Sequence, residues 1–370
     1  VDGNGVVTEA PGTPLDPANL YGVMIEGAGT NFGLWSEDFT NPVWSTTNVS
    51  FTADTGTGPD GARTADTFST TGTTGEVASQ TIAAYSGDAT VSIFAKQDTA
   101  LFLRDIFFSG GVGDRFAGWY DLTADVWANT EALGAAVLYG ADNQGFADDW
   151  YRVTISGKVT DVTADHEAQL YHALAGTGFD RAAGDTFLFG FGVETTAYPT
   201  TYIYSDAAAG QRAKEALNYP ATGNMPVNDF ELTFDFTPLQ DGLDTVFLFD
   251  NYTDASNRFA IYISAAQRVT ALKTIAGVSK TVDVALVTVS GTTYAIKVTG
   301  SSTAGLSISL DGGPPDTDAT ATEDLTANAG DFYIGALPGD ATQPNGCFKR
   351  VGMKSTAGPS NSPEAQLVLD

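Results

Sequence analysis

The sequence predicts an all-β protein: two tandem antiparallel β-sandwich (jelly-roll) domains behind an extended N-terminal arm. Three observations carry this. First, apolar residues recur at every second position in Val91-Ser92-Ile93-Phe94-Ala95-Lys96, Tyr151-Arg152-Val153-Thr154-Ile155-Ser156 and Phe230-Glu231-Leu232-Thr233-Phe234-Asp235-Phe236, which is the period of a half-buried strand. Second, turn signals punctuate these runs. In Pro59-Asp60-Gly61 the Pro fixes φ, the Asp bonds nearby backbone and the Gly takes positive φ. Third, the strands follow one another without intervening helical patterns, so no βαβ alternation and no parallel sheet is expected.

Residues 1–22 are rich in Gly, Pro and Asp, with Pro11, Pro14 and Pro17, and read as an arm or linker. Residues 23–206 form the first expected sandwich. Its strands are predicted at 49–52, 77–82, 91–96, 101–108, 115–121, 150–159, 166–173 and 186–193. Residues 207–224 read as a connector, Ala- and Gly-rich. Residues 225–370 form the second sandwich, with strands at 230–236, 245–250, 258–264, 269–275, 280–287, 292–299, 306–310 and 331–335. Near the end, Ser362 suits a helix N-cap with Pro363 at the first helical position, predicting a short terminal helix.

Composition limits the function. Seventeen Lys+Arg against 45 Asp+Glu leave a formal charge of −28. Such a surface repels phosphate, which argues against a nucleic-acid role, and it repels anionic lipid. No window approaches the 18 or so consecutive apolar residues of a membrane-spanning helix, so no membrane insertion is expected. The first residues carry neither a basic nor a hydrophobic leader segment, and the chain does not begin with Met, which suits a processed product or a part of something longer. The single cysteine, Cys347, allows no intrachain disulfide and reads as a small strand residue.

A family resemblance enters through ordered motifs. Ile25-Glu26-Gly27-Ala28-Gly29-Thr30-Asn31 leads into Ser36-Glu37-Asp38-Phe39 and Trp44. Pro59-Asp60-Gly61 precedes Thr64-Ala65-Asp66, and Tyr120-Asp121-Leu122-Thr123 precedes Trp150-Tyr151-Arg152. Tyr198-Pro199-Thr200-Thr201-Tyr202-Ile203-Tyr204 and Gln211-Arg212-Ala213 close the series. In this order, over about residues 23–215, they resemble a carbohydrate-binding-like sandwich module of tailed-phage virion proteins, with Gly29 where Arg is usual. Phe247-Leu248-Phe249-Asp250, Asn257 to Tyr262 and the Asp311-Gly312 turn resemble the laminin-G and concanavalin-A-like lectin sandwich. The resemblance implies a surface-exposed virion protein, with other virion proteins and host-surface glycans as partners and a homotrimeric state.

Catalytic groups are sparse. The sequence has no Gly-x-Ser-x-Gly elbow. Glu231 and Asp235 share a strand face, but their spacing exceeds that of a retaining glycosidase pair and their alternation with apolar residues reads as a solvent face. His166 and His172 lie six apart and share a face in a strand. A third metal ligand at suitable spacing is missing, and exposed strand positions are the plainer reading. No catalytic residue is assigned, and the chain is expected not to be an enzyme.

Sugar binding by a sandwich needs flat aromatics and nearby amides or carboxylates. Trp127, in a polar turn over 123–130, and Tyr252, in Asp250-Asn251-Tyr252-Thr253-Asp254, are the leading candidates. Asn251 and Trp119 join them. Trp44 belongs to a module signature and reads as core. Asp250 and Asp254 offer oxygens to Ca²⁺; the same loop also reads as an ordinary Asx-rich turn. The expected function is a glycan-binding tail fibre or adhesin at the virion surface. Two alternatives stand: a capsid decoration, cement or head-fibre protein, and the ancillary binding part of a secreted carbohydrate-active enzyme.

Overall fold

The computed structural model describes residues 8–10, 13–14, 23–26, 28–84, 86–109, 113–160, 165–176, 180–213, 217–219, 229–238, 242–243, 245–289, 291–325, 330–335, 343–356 and 367–369. Among these the chain is all-β, with every strand pairing antiparallel and one 3₁₀ turn at Ala147–Asp149. The expected terminal helix at Ser362 and Pro363 lies outside the described residues. The chain divides into two compact units. One is Ala28–Ala213; the other joins Val1–Gly27 to Lys214–Asp370.

The unit Ala28–Ala213 is a sandwich of two sheets. The first sheet runs β12 (Val126–Leu133), β11 (Arg115–Asp121), β10 (Phe102–Ser109), β15 (His166–Ala173), β8 (Val77–Ile82), β5 (Ser45–Thr47). The second runs β13 (Val137–Gly145), β14 (Tyr151–Val159), β9 (Gly87–Gln97), β16 (Ala183–Glu194), β4 (Gly29–Asn31), β17 (Gly210–Arg212). β7 (Ala65–Thr71) pairs with β16 and carries β6 (Val49–Gly56). Leu103, Phe107, Phe116 and Leu170 from the first sheet meet Val91, Ile93, Val153, Ile155 and Phe191 from the second in one buried core. The alternation on β19 (Phe230–Pro238), in the other unit, is this division between core and outer face, whereas β9, expected to be half-buried, is buried on both faces, with Phe94 packed against Trp150 and Phe189 in a second cluster.

The other unit is also a sandwich. Its first sheet runs β18 (Leu217–Tyr219), β27 (Phe332–Ile334), β20 (Val246–Asp254), β21 (Asn257–Ser264), β22 (Arg268–Ile275), β23 (Val278–Ala285). Its second runs β26 (Asp316–Asp318), β25 (Gly305–Leu310), β24 (Tyr294–Ser301), β19 (Phe230–Pro238), β28 (Gly346–Ser355), β29 (Leu367–Leu369). Phe249, Phe259, Ile261 and Val269 meet Phe230, Leu232, Phe236, Val298 and Phe348 across the core. Cys347 is half-buried on β28, and burial pushes its thiol up.

Two boundaries differ from the sequence reading. β3 (Val23–Ile25), expected to open the first sandwich, pairs with Phe348, Cys347 and Gly346 of β28 in the other unit. The expected connector supplies a strand to each unit: β17 pairs with β4, and β18 pairs with β27. Within the expected arm, β1 (Thr8–Ala10) pairs with β2 (Thr13–Pro14).

Candidate functional site

The residues of the family-like motifs are spent inside the first unit. Asn31 is buried. Its Nδ2 donates to the carbonyls of Phe191 at 3.0 Å and Ile203 at 2.8 Å, while its Oδ1 accepts from Gly33 N–H at 3.0 Å and Val193 N–H at 2.9 Å. Asp66 accepts from Phe39 N–H and Asp54 N–H, both at 3.0 Å, and burial raises its carboxyl above the usual range. Trp150 Nε1 donates to the Thr57 carbonyl at 3.0 Å. Arg152 lies 3.7 Å from Glu194 and donates to Ser92 Oγ at 3.0 Å and to the Thr200 carbonyl. Trp35 sits at φ 48°, a costly region for a bulky residue, fixed by its N–H donating to the Asp206 carbonyl at 2.9 Å. These groups stitch the 31–39 segment and the 198–206 loop onto the sheet. Satisfied buried polar networks of this kind specify a fold.

Both histidines are fully buried on β15, correcting the exposed reading. His172 lies between Thr70 Oγ1, 2.8 Å from Nδ1, and Thr186 Oγ1, 2.9 Å from Nε2, and burial pushes its pKa down to about 4. His166 packs against Phe107 at 5.3 Å between centroids. Among the described residues no three His, Cys, Asp or Glu side chains gather as a metal site.

Two of the expected glycan-binding aromatics lie in this unit, and the structure corrects both placements. Trp119 is 1% exposed, with the Arg104 guanidinium 4.1 Å from its ring centroid, so no face is open to a sugar. Buried Arg104, paired with Glu131 at 2.7 Å, is held down to about 10, burial being the main cause. Trp127 lies on strand β12; the polar turn before it ends at Asp125. Its ring meets Tyr120 edge-on at 5.5 Å and its Nε1 donates to the Asp142 carbonyl at 2.9 Å. It tacks two strands together, one from each sheet. Trp44, which the sequence places in the core, is buried against Phe39 and Phe191.

The remaining candidates lie on β20. Asn251 faces inward and is fully buried; its Nδ2 donates to the carbonyls of Gly330 at 2.8 Å and Asp331 at 3.2 Å. Asp250 is fully buried and takes a two-pronged hydrogen bond from Arg258, Nε to Oδ1 at 3.0 Å and Nη2 to Oδ2 at 2.5 Å. Asp254 caps its own turn, accepting from Ser256 N–H at 2.7 Å and Asn257 Nδ2 at 3.1 Å. The Ca²⁺ assignment is corrected accordingly: the Asp250 carboxylate is already neutralised by a guanidinium, and Asp254 holds a turn. Glu231 and Asp235, the acids nearest to a catalytic pair, are each matched to a separate base, Lys297 at 2.5 Å and Arg350 at 2.6 Å.

Tyr252, 39% exposed, belongs to a larger set on the outer face of its sheet. Register places Phe247 opposite Tyr262, Asp250 between Ala260 and Tyr333, and Tyr252 opposite Arg258. The Arg258 guanidinium stands 4.4 Å from the Phe247 ring and 5.5 Å from the Tyr252 ring; Phe247 and Tyr262 are 5.6 Å apart. One strand further, Thr274 and Ser279 share a 2.9 Å hydroxyl hydrogen bond. Partly exposed rings thus flank a rigid ion pair, with hydroxyls beside them. Planar aromatics supply contact area at low entropic cost, and a guanidinium fork is a fixed donor. Of this set the sequence analysis singles out Tyr252 as a glycan contact and Asp250 as a Ca²⁺ ligand, and passes over Phe247, Arg258 and Tyr262 as contacts. The missed signal was Arg258-x-Ala260-x-Tyr262, an outward row of an amphipathic strand carrying an aromatic instead of a small polar residue.

No protein-family model matches the sequence, and no curated protein matches it. Among solved structures the chain is similar to mouse laminin α1 chain, domains LG4-5, with 11% identity and TM-score 0.29 over 98% of this chain and 97% of that one. It is similar to the LG1-3 region of the laminin α2 chain, with 13% identity and TM-score 0.31 over 75% and 64%. It is also similar to a tail fiber protein, gp63.1, of an E. coli phage, with 10% identity and TM-score 0.24 over 94% and 43%. Likenesses this distant carry no ligand or role across; the fold rests on the chain's own strand pairing.

Proposed function

We propose that this chain is a non-catalytic surface-binding protein that holds a carbohydrate against the outer face of β20, β21 and β27. The observation that carries the reading is the row Phe247, Tyr252 and Tyr262 around the Arg258–Asp250 pair. Sugar C–H faces stack on aromatic rings, and fixed polar groups orient the hydroxyls. The pairing of Glu231 and Asp235 with separate bases supports binding without turnover. The motif order in residues 23–215 supports a place on a phage virion surface, as a tail fibre or adhesin contacting host glycans.

A glycan array probed with the whole chain tests this. Tyr252→Ala and Tyr262→Ala are each expected to weaken the best-bound glycan roughly tenfold, about 1.4 kcal/mol. Trp127→Ala should leave that affinity unchanged while lowering the melting temperature. Absence of any glycan binding by the unaltered chain, or binding by both tyrosine variants as tight as that of the unaltered chain, would overturn the proposal.

A further inference from the structure

We propose, building on the carbohydrate reading above, that the outer face of β20–β23 takes an uncharged glycan and turns away one that bears sulfate, phosphate or carboxylate. A guanidinium is the usual fork for such anions. Among the described residues β20, β21, β22, β23 and β27 hold four cations, Arg258, Arg268, Lys273 and Lys280. The two lysines are register partners on the inward side. Lys273 Nζ donates to the Glu323 carbonyl at 2.6 Å and Lys280 Nζ to Thr320 Oγ1 at 2.9 Å. Arg258 and Arg268 are the cations that share the outer face with Tyr252 and Tyr262.

Each of these guanidiniums already has its own carboxylate. Both oxygens of fully buried Asp250 accept from Arg258, at 3.0 and 2.5 Å, and Asp283 accepts from Arg268 Nε. A ligand anion would have to displace a carboxylate, in one case a carboxylate shut away from water. Arg258 Nη1 lies outside its ion pair and serves as a donor to a sugar hydroxyl. The rim carries the wrong sign for an anion as well. Asp254 and Asp331 are exposed at the Tyr252 end of the face, and the groups that donate to their carboxylates there, Ser256 N–H, Asn257 Nδ2 and Asn218 Nδ2, are uncharged. Four carboxylates against two guanidiniums leave this face negative, on a chain whose net charge is −28. Such a field repels anions, while a neutral sugar held by ring stacking and hydroxyl hydrogen bonds is indifferent to it.

A glycan array of matched pairs tests this with the whole chain. It carries lactose, maltotriose, chitotriose and other neutral oligosaccharides, each beside its monosulfated form. Binding is read at about 50 mM and about 0.5 M NaCl, where the Debye length is about 14 and about 4 Å. In the best-bound pair the sulfated form should bind at least about tenfold more weakly at low salt, and the gap should close to about threefold at high salt. Asp254→Asn with Asp331→Asn, at exposed sites, should narrow the low-salt gap about threefold. Asp250→Asn, which leaves the Arg258 charge unmatched, should bring the sulfated form level with the neutral one. A sulfated form that the unaltered chain binds as tightly as its neutral partner, and that Tyr252→Ala still weakens, overturns this inference and leaves the carbohydrate reading standing. A low-salt gap that the Asp254 and Asp331 changes leave untouched overturns it too. An array on which no sugar binds ends both.

Discussion

His172 shows how a single buried residue ties stability to pH. Its imidazole sits between two threonine hydroxyls in the core, and burial lowers its pKa to about 4. The unfolded chain titrates this group near 6.5. Between about 6.5 and 4 the unfolded state therefore binds more protons, and stability falls as pH falls through that window. The full penalty below it is about 3 kcal/mol, from about 1.36 kcal/mol per unit. Urea midpoints at pH 7 and near pH 4 should drop further for the unaltered chain than for His172→Gln; parallel drops would refute this. The residue scale was also where the sequence was hardest to read. Asn31, Asp66, Arg152 and Trp150 stood out as a motif, yet they are internal ties. Asp250 and Asn251 looked like ligands because a loop-like run of oxygens does not disclose that Arg258, across the hairpin, has already claimed one of them.

Among elements, β8, β11 and β15 match their expected bounds, while the alternating run 91–96 marks only the middle of β9. β12 and β13 carry no clear strand signal, so the sequence places Trp127 in a turn. Both are sheet edges with alanines, glycines and exposed apolar side chains, so neither presents a clean polar face against an apolar one. The β24–β25 hairpin depends on a backbone requirement that a sequence pattern registers poorly. Gly305 has φ 83°, and a Cβ there would lie 2.0 Å from the Asp318 carbonyl oxygen on the next strand. Gly305→Ala combines left-handed strain with overpacking and should cost about 1–3 kcal/mol. Thermal melting measures it, and an unchanged midpoint would contradict the assigned geometry.

For the whole molecule the excess of acid dominates. With a net −28, self-repulsion works against the folded state and is screened as salt is added. The melting temperature is expected to rise by several degrees between about 20 mM and about 0.5 M NaCl, where the Debye length shrinks from roughly 20 to 4 Å. A fall would mean that ion pairs such as Arg258–Asp250 outweigh the repulsion. Composition announced this property directly, as it did the all-β class. What stayed hidden was which strands end a sheet, because that depends on pairing between distant segments.

The short strand Val23–Ile25 carries a consequence for biosynthesis. Its register partner for Ile25 is Gly346, 321 positions later (346 − 25). Ala28–Ala213 sits between them as a self-contained inset. As the chain leaves the ribosome, the inset has all its strands long before the body around it can close, since domains fold as units during synthesis. The enclosing body waits for its last strands, holding an early segment in reserve, so chains stopped short of residue 346 carry one finished sandwich and one that cannot close.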